Sequence, residues 1–295
     1  MKQITSKTLY GPYLLVLPGA ILIGIFLIWP ICYGIWLSLY NFDGMNISGE
    51  ASLANYIAVL MDKDFQNALS NTTIFAVITV VGKNVLGIAL ALLASIKLPG
   101  MKSAQLLLFL PVTLNIVVIG AFWTYFLGSS QFGGLLNSGL EAIGLSQYAK
   151  SWLSTPGIAL IVLAFIEVWR WAGLHMLLFL AGLQSIDPTL YEAARLDGAG
   201  KWARFRHITL PALLPIIGAS TIFALIGAYV RSFDVVWVLT RAGFDTEVIA
   251  TFIYREAFTY GRFDKAIAAG LILTIFLSAI FLITRLIKPK GGQNE

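Results

Sequence analysis

Six long apolar runs separated by short polar segments set the pattern of this chain of 295 residues. They occupy 13–39, 72–93, 106–127, 156–183, 211–229 and 266–287. Each is long enough to cross a hydrocarbon core of roughly 30 Å, which takes about 20 residues of helix. The runs are continuous rather than alternating, so they predict helices and not the strands of a barrel. The expected fold class is an all-α integral membrane protein with six transmembrane helices. The first run is interrupted only by Pro18 and Pro30, is too long for a signal-peptide core and has no small-residue cleavage site after it, so it reads as a retained helix.

Between the runs, Asn41, Asp43, Gly44, Asn46 and Ser48 carry turn chemistry, followed by the short amphipathic piece "LANYIAVLMD". Pro99-Gly100 marks a tight link between the second and third spans. The stretch 184–210 differs in kind. Asp187 reads as a helix N-cap with Pro188 at the first helical position, "TLYEAARLD" continues with strong helix formers, and Gly198 supplies a stop. "KWARFRHI" predicts a second short helix, and Pro211 is expected to open the fifth span. No repeat, low-complexity tract or soluble domain interrupts the pattern, which predicts one membrane domain over 1–295.

Composition agrees: 58% of residues are hydrophobic and 12% charged, about half the charge of a soluble domain. The net charge of +5 is unevenly placed. Lys2, Lys7, Lys97, Lys102, Arg195, Lys201, Arg204, Arg206, Arg285, Lys288 and Lys290 fall on one set of flanks. The opposite loops are mildly acidic, except before the last span, where Arg241, Arg255, Arg262 and Lys265 stand beside Asp245, Glu247, Glu256 and Asp264. The positive-inside rule then predicts that both termini are cytoplasmic. The basic charge orients the chain and does not describe a nucleic-acid surface. Cys32 is the only cysteine, which excludes an intrachain disulfide and a cysteine metal cluster.

Ionisable residues inside apolar spans point to function by default. Glu167, Trp171 and His175 are spaced four apart, forming one stripe with Arg170 beside it. This predicts either a polar face along a substrate path or a Glu167–Arg170 pair that neutralises itself. Arg231 and Asp234 repeat the i,i+3 spacing, and Arg231 suits a water-filled vestibule. Lys83, beside Asn84, either snorkels toward a cavity or pairs with another chain. The eight tryptophans are mostly interfacial anchors, a minority being available to stack on a sugar ring.

"LDGAGKWARF", 196–205, contains a Gly-Lys pair that suggests a phosphate-binding loop. That loop needs G-x-x-x-x-G-K-[ST] between a strand and a helix. Here Arg195 stands at the first glycine and Trp202 at the Ser/Thr position, and the preceding "YEAARL" is helical. No nucleotide site is expected.

Read more widely, "DPTLYEAARLDGAGKWARFRHITLPALLPII" resembles the EAA loop of ABC importer permeases, through Glu192, Ala193, Ala194, Asp197, Gly198, Ala199, Phe205, Ile208, Thr209, Leu210 and Pro211. "NALSNTTIF", "LPVTLNIVVIGAFWTYFL", "FDVVWVLT" and "TFIYREAFTYGRFDKAIAAGLIL" are similar to the carbohydrate-uptake branch, so the resemblance covers nearly the whole chain. The resemblance implies the type I importer permease fold, a bacterial or archaeal inner-membrane location, and a coupling helix that docks on a separate ATP-hydrolysing subunit. Glu192 would pair there with a basic group. It also implies two ATP-binding subunits, a second and non-identical permease, a solute-binding protein and a sugar-type substrate moved by alternating access. ATP and Mg would be bound by the partner ATPase, leaving this chain without cofactor or catalytic residues. Tyr229, Ser232 and Asp234 would line the substrate route, with Glu167 and Trp171 behind them. Sugar permeases often carry Thr-Gly-Gly-Gly-Pro where this chain has Thr240–Phe244 as "TRAGF", which brings an anionic or modified sugar into consideration.

Two other function classes fit parts of the sequence. An ion-gradient-driven transporter would use Glu167, Arg170 and Lys83, but no halves related by inverted hydropathy are seen. A membrane enzyme would have only His175 and Glu167 as an acid–base pair, without a nucleophile or metal cluster.

Overall fold

The structure, a computed structural model, describes residues 7–286 except 97, 130, 132 and 133. Lys2, Lys97, Lys288 and Lys290 of the orienting charges lie outside these residues, as does the end of the sixth expected span. In chain order the helices are α1 (Lys7–Ile23), α2 (Trp29–Leu37), α3 (Ala54–Met61), α4 (Lys63–Ala94), α5 (Met101–Thr113), α6 (Ile116–Phe126) and α7 (Leu135–Ala142). They continue with α8 (Ile158–Gln184), α9 (Pro188–Leu196), α10 (Lys201–Arg204), α11 (Leu210–Val230), α12 (Ser232–Thr240), α13 (Ile249–Tyr254) and α14 (Phe263–Leu286). A short antiparallel ribbon pairs Asn41 with Ser48 and Phe42 with Ile47. Among the described residues, five helical stretches are long and apolar enough to cross a membrane, and a sixth results if the bent pair α5–α6 counts as one span.

Three boundaries differ from the sequence pattern, each for a local reason. The expected span 106–127 is not one helix, because α5 and α6 meet at 100°. Pro111 cannot donate to the carbonyl four residues earlier, and Leu114 is extended at φ −76° and ψ 145°. Asn115 then starts α6 afresh, its side chain accepting the Val117 amide at 2.8 Å.

Nor does Pro211 open a span. Lys201–Val230 is one continuous helical stretch of 30 residues, about 45 Å long at 1.5 Å per residue. A π-helical turn, Phe205–Thr209, precedes Pro211, and another, Gly24–Ile28, precedes Pro30. In each, an amide reaches back five residues, Leu210 to the Phe205 carbonyl and Trp29 to that of Gly24. The wider turn accommodates a ring that would otherwise strike the carbonyl one turn back.

Helix α4 begins at Lys63 rather than near Thr72. Within this helix the Thr72 and Thr73 hydroxyls are satisfied by bonding back to the carbonyls of Ala68 and Leu69 at 2.6 and 2.8 Å. Asn71 is occupied elsewhere, donating to the carbonyls of Asp245 and Glu247 at 3.0 Å each.

The described residues form two compact units, one of those up to 62 with those from 253 onward, and one of those in 63–252. In the first, α14 packs on α3 and α2. Asp43 accepts the amides of Asn46 and Met45 at 2.7 and 2.9 Å, and these donors hold its carboxyl below the ordinary aspartate value. Buried Glu256 accepts Arg262 Nε at 2.7 Å and lies 3.7 Å from Lys265, which also pairs with Asp62. That network accounts for two of the basic residues before the last span.

In the second unit α8 packs along α4 and α5, and α11 packs on α4 and α8. Small residues bring the backbones together. A Cβ on Gly87 of α4 would lie 2.8 Å from the His175 Cβ, and one on Gly173 of α8 would strike the Leu108 carbonyl. Ala91 and Ala94 of α4 meet Met176, Phe179 and Leu180 of α8 in the core beside this crossing.

Candidate functional site

Two features of the second unit carry chemistry, the loop 184–210 and a polar cluster among α4, α8 and α11. The loop is built from its ends inward. Asp187 caps α9 by accepting the Thr189 amide at 2.9 Å, and that donor holds its carboxyl below the ordinary value. At the other end the Ala199 amide reaches Ala194 O at 2.8 Å and the Gly198 amide reaches Arg195 O at 3.1 Å. Gly198 has φ +77°, the left-handed residue that this form of helix end requires. Tyr191 ties α9 to the following π-turn through its hydroxyl, 2.9 Å from Thr209 Oγ1.

Glu192, Ala193, Asp197, Gly198 and Pro211 are exposed and Ala194 is half-buried. The same surface leaves Leu190, Leu196 and Trp202 uncovered. Trp202 stacks on Phe205 at 5.5 Å between ring centres, beside a cleft of about 600 Å³ that Tyr191, Lys201 and Arg204 also line. Uncovered apolar groups thus stand beside exposed charge on a loop fixed at both ends. The loop therefore leads directly into α10, and through the π-turn into α11.

The polar cluster lies along that same long helix and its neighbours. Lys83 Nζ is 3.1 Å from Glu167 Oε1, and both side chains are 2% exposed. Arg170 Nη1 is 3.8 Å from Glu167 Oε2. The carboxylate's nearer partner is thus on another helix, 84 residues away in sequence, and not the i,i+3 arginine. Lys83 pairs within its own chain, which corrects the expectation of snorkelling or of pairing with another chain. His175 Nδ1 lies 2.7 Å from Ser220 Oγ and Asn84 donates to Thr221 Oγ1 at 3.1 Å, both on α11.

Trp171 is the centre of the charge. The guanidinium of Arg231 lies 4.5 Å from its ring centre, and Arg170 and Lys83 each lie at 5.6 Å. Arg231 also covers Phe223 at 4.7 Å. It does not form the i,i+3 pair with Asp234 that the spacing suggests, because at the end of α11 it folds back over α8. Asp234 is exposed in the first turn of α12. Tyr229 is 3% exposed, with its hydroxyl 3.2 Å from Thr73 Oγ1. Ser232 is fully buried. Its Oγ, Trp171 Nε1, Arg170 Nε and His175 Nε2 have no hydrogen-bond partner among the described residues.

The structure thus brings Glu167 and Trp171 together with Lys83 and Arg231, and places Tyr229 and Ser232 on either side of Arg231 along the chain. Asp234 stands apart. The sequence pattern missed Ser220, Thr221 and Phe223, which look like ordinary positions of an apolar helix. Only the i,i+4 stripe on α8 hinted at partners for them.

Residues 83–290 match the family described as binding-protein-dependent transport system inner membrane component. Over 292 residues the chain is 33% identical to the trehalose/maltose transport system permease protein MalF of Thermococcus litoralis, covering 96% of both chains. It is 31% identical over 276 residues to the lactose transport system permease protein LacF of Rhizobium radiobacter, covering 91% of this chain and 90% of that one. Among solved structures, a chain of a bacterial alginate ABC transporter, in complex with alginate pentasaccharide-bound periplasmic protein, superposes with a TM-score of 0.83. It is 27% identical, and the match covers 96% of each chain.

Proposed function

From the premise that this chain belongs to the family of binding-protein-dependent transport system inner membrane components, we propose that it is one permease of an ATP-driven importer for a sugar or sugar derivative. The single observation that carries the coupling role is the loop 187–199. It is capped at Asp187, closed at Gly198 and leaves Glu192, Ala193 and Asp197 uncovered. In this reading α9 docks on an ATP-binding subunit, where Glu192 meets a basic group and Ala193 and Ala194 admit close approach. Gly198 allows the sharp turn between α9 and α10.

The chain then acts as a single permease domain of six spans in the inner membrane of a bacterium or archaeon, with both termini cytoplasmic. Counting α5–α6 as one broken span supports that number. Each chain carries one coupling loop and an ATPase dimer takes two, so a second permease completes the assembly, and a solute-binding protein delivers the substrate. ATP and Mg belong to the partner ATPase, and this chain performs no covalent chemistry. Its work is to give each state of the ATPase pair a different contact, since only a differential contact shifts a conformational equilibrium. Continuity from Lys201 to Val230 supports transmission: a displacement at α10 reaches Arg231 as the motion of one rod. The sugar class is supported by the relatives named for trehalose/maltose and lactose transport and by the alginate importer fold.

The test is Glu192→Lys in the assembled transporter. The ATPase subunits are expected to be lost during membrane purification and uptake to be abolished. Uptake by the purified chain alone on an ion gradient, without any ATPase, would end this reading.

A further inference from the structure

Three cations, Lys83, Arg170 and Arg231, converge on Trp171 while a single carboxylate, Glu167, faces them. Among the described residues no other acidic side chain pairs with any of the three. Two positive charges are therefore left over at a site inside an apolar helical unit. Arg170 and Arg231 are half-buried, and charge at such a site is ordinarily paired or hydrated. The neighbouring groups do not supply the missing charge. His175 is engaged with Ser220, and Asn84 with Thr221. Beside the excess charge lie unused donors, Trp171 Nε1 and Arg170 Nε, together with two unused acceptors, Glu167 Oε2 and Asn84 Oδ1.

We propose that Trp171, Arg231 and Arg170 form an anion-recognition subsite on the transport route, and that it selects a saccharide carrying carboxylates. The proposal rests on the sugar reading above and deepens it by naming the class of sugar. The indole holds the Arg231 guanidinium over its ring, and guanidinium forks match the two oxygens of a carboxylate. Lys83 stays on Glu167 and is neutralised there, which leaves the two arginines as the excess charge, Arg170 reaching the same carboxylate only at 3.8 Å. The donors are all planar side chains, with no glycine-rich backbone cradle of the kind that commonly holds phosphate, which favours carboxylate over a phosphorylated sugar. Arg231 ends the helix that begins at the coupling loop, so the step that moves α10 also moves one arm of the subsite.

The experiment uses the detergent-solubilised transporter with its partner permease and ATPase subunits, without the binding protein. Binding of an oligouronate pentamer, a neutral maltopentaose and glucose 6-phosphate is measured by calorimetry at low and high salt. Wild type is expected to bind the oligouronate best, with affinity falling as salt rises. Arg231→Gln and Arg170→Gln should each weaken oligouronate binding by roughly tenfold or more without changing the maltopentaose signal, and Arg231→Lys should retain part of the affinity. Co-purification of the ATPase subunits with each variant shows that it has folded. Equal binding of neutral and acidic pentamers, or equal loss of both in Arg231→Gln, overturns the subsite. A preference for glucose 6-phosphate overturns the carboxylate assignment. A chain that never assembles with ATPase subunits removes the importer reading instead, a failure distinguishable from the others.

Discussion

The Lys83 ammonium and the Glu167 carboxylate lie 3.1 Å apart with both side chains 2% exposed, joining α4 to α8. A buried pair of this kind is not in itself a source of stability, because desolvation offsets most of the attraction. Breaking it is another matter. Glu167→Gln is expected to cost about 3–5 kcal/mol by leaving the Lys83 ammonium uncompensated, and Lys83→Met to cost less, because Arg170 remains 3.8 Å from the carboxylate. The double change to apolar residues should recover most of that loss. Thermal unfolding of the purified complex measures the cycle, and additive losses in the double variant would show that the pair is not coupled.

That pair shows where the sequence pattern was legible and where it was not. The apolar runs located the long helices, because about 20 residues of uninterrupted hydrophobicity permit little else. Asp187, Pro188 and Gly198 defined α9, because capping is local chemistry. The partner of Glu167 was not legible. Spacing along α8 favoured Arg170 at i+3, whereas Lys83 reaches the carboxylate only because Gly82 and Gly87 let α4 lie close to α8; a Cβ on Gly82 would be 2.7 Å from Val168. Pro211 misled for a similar reason. A proline ordinarily marks a helix boundary, and the π-turn that absorbs it has no clear sequence signature. Arg231 was assigned to a vestibule from its position along the helix alone, and its turn onto Trp171 depends on tertiary packing.

Helix continuity through that π-turn predicts a mechanical effect. Replacing exposed Arg206 and His207 together by glycine should loosen the rod from Lys201 to Val230 without shifting the register of α9 or of the Trp171 cluster. ATPase subunits are expected to stay bound while uptake in proteoliposomes falls by roughly tenfold or more, an interior glycine costing about 1 kcal/mol of helix each. Full uptake by this variant would mean that α10 and α11 do not move as one body.

Gly198 is the next position to test. At φ +77°, a residue with a Cβ pays about 1–2 kcal/mol for the left-handed conformation. Nothing lies within 4 Å of the added Cβ, so any effect arises from backbone preference and not from a clash. Gly198→Val should loosen the turn after α9 and reduce ATPase retention, while Gly198→Asn, which tolerates this region, should retain most of it. Equal retention by the two variants would remove the conformational explanation.

The loop after α12 stores strain of the same kind. Arg241, Ala242, Phe244 and Asp245 adopt φ of 53°, 60°, 55° and 60°, although none is glycine and Gly243 among them is not left-handed. The loop is held from both sides: Asn71 donates to the Asp245 and Glu247 carbonyls at 3.0 Å each, and Thr240 meets Thr246 at 2.7 Å. These bonds must outweigh a cost of about 1–2 kcal/mol per left-handed residue. Ala242→Gly is therefore expected to raise stability by about 1 kcal/mol, read as a higher unfolding temperature of the purified transporter. Asn71→Ala should lower it, because its removal frees the strained segment and leaves two carbonyls without this donor. If Ala242→Gly is neutral or destabilising, the left-handed run is not where the loop's energy lies.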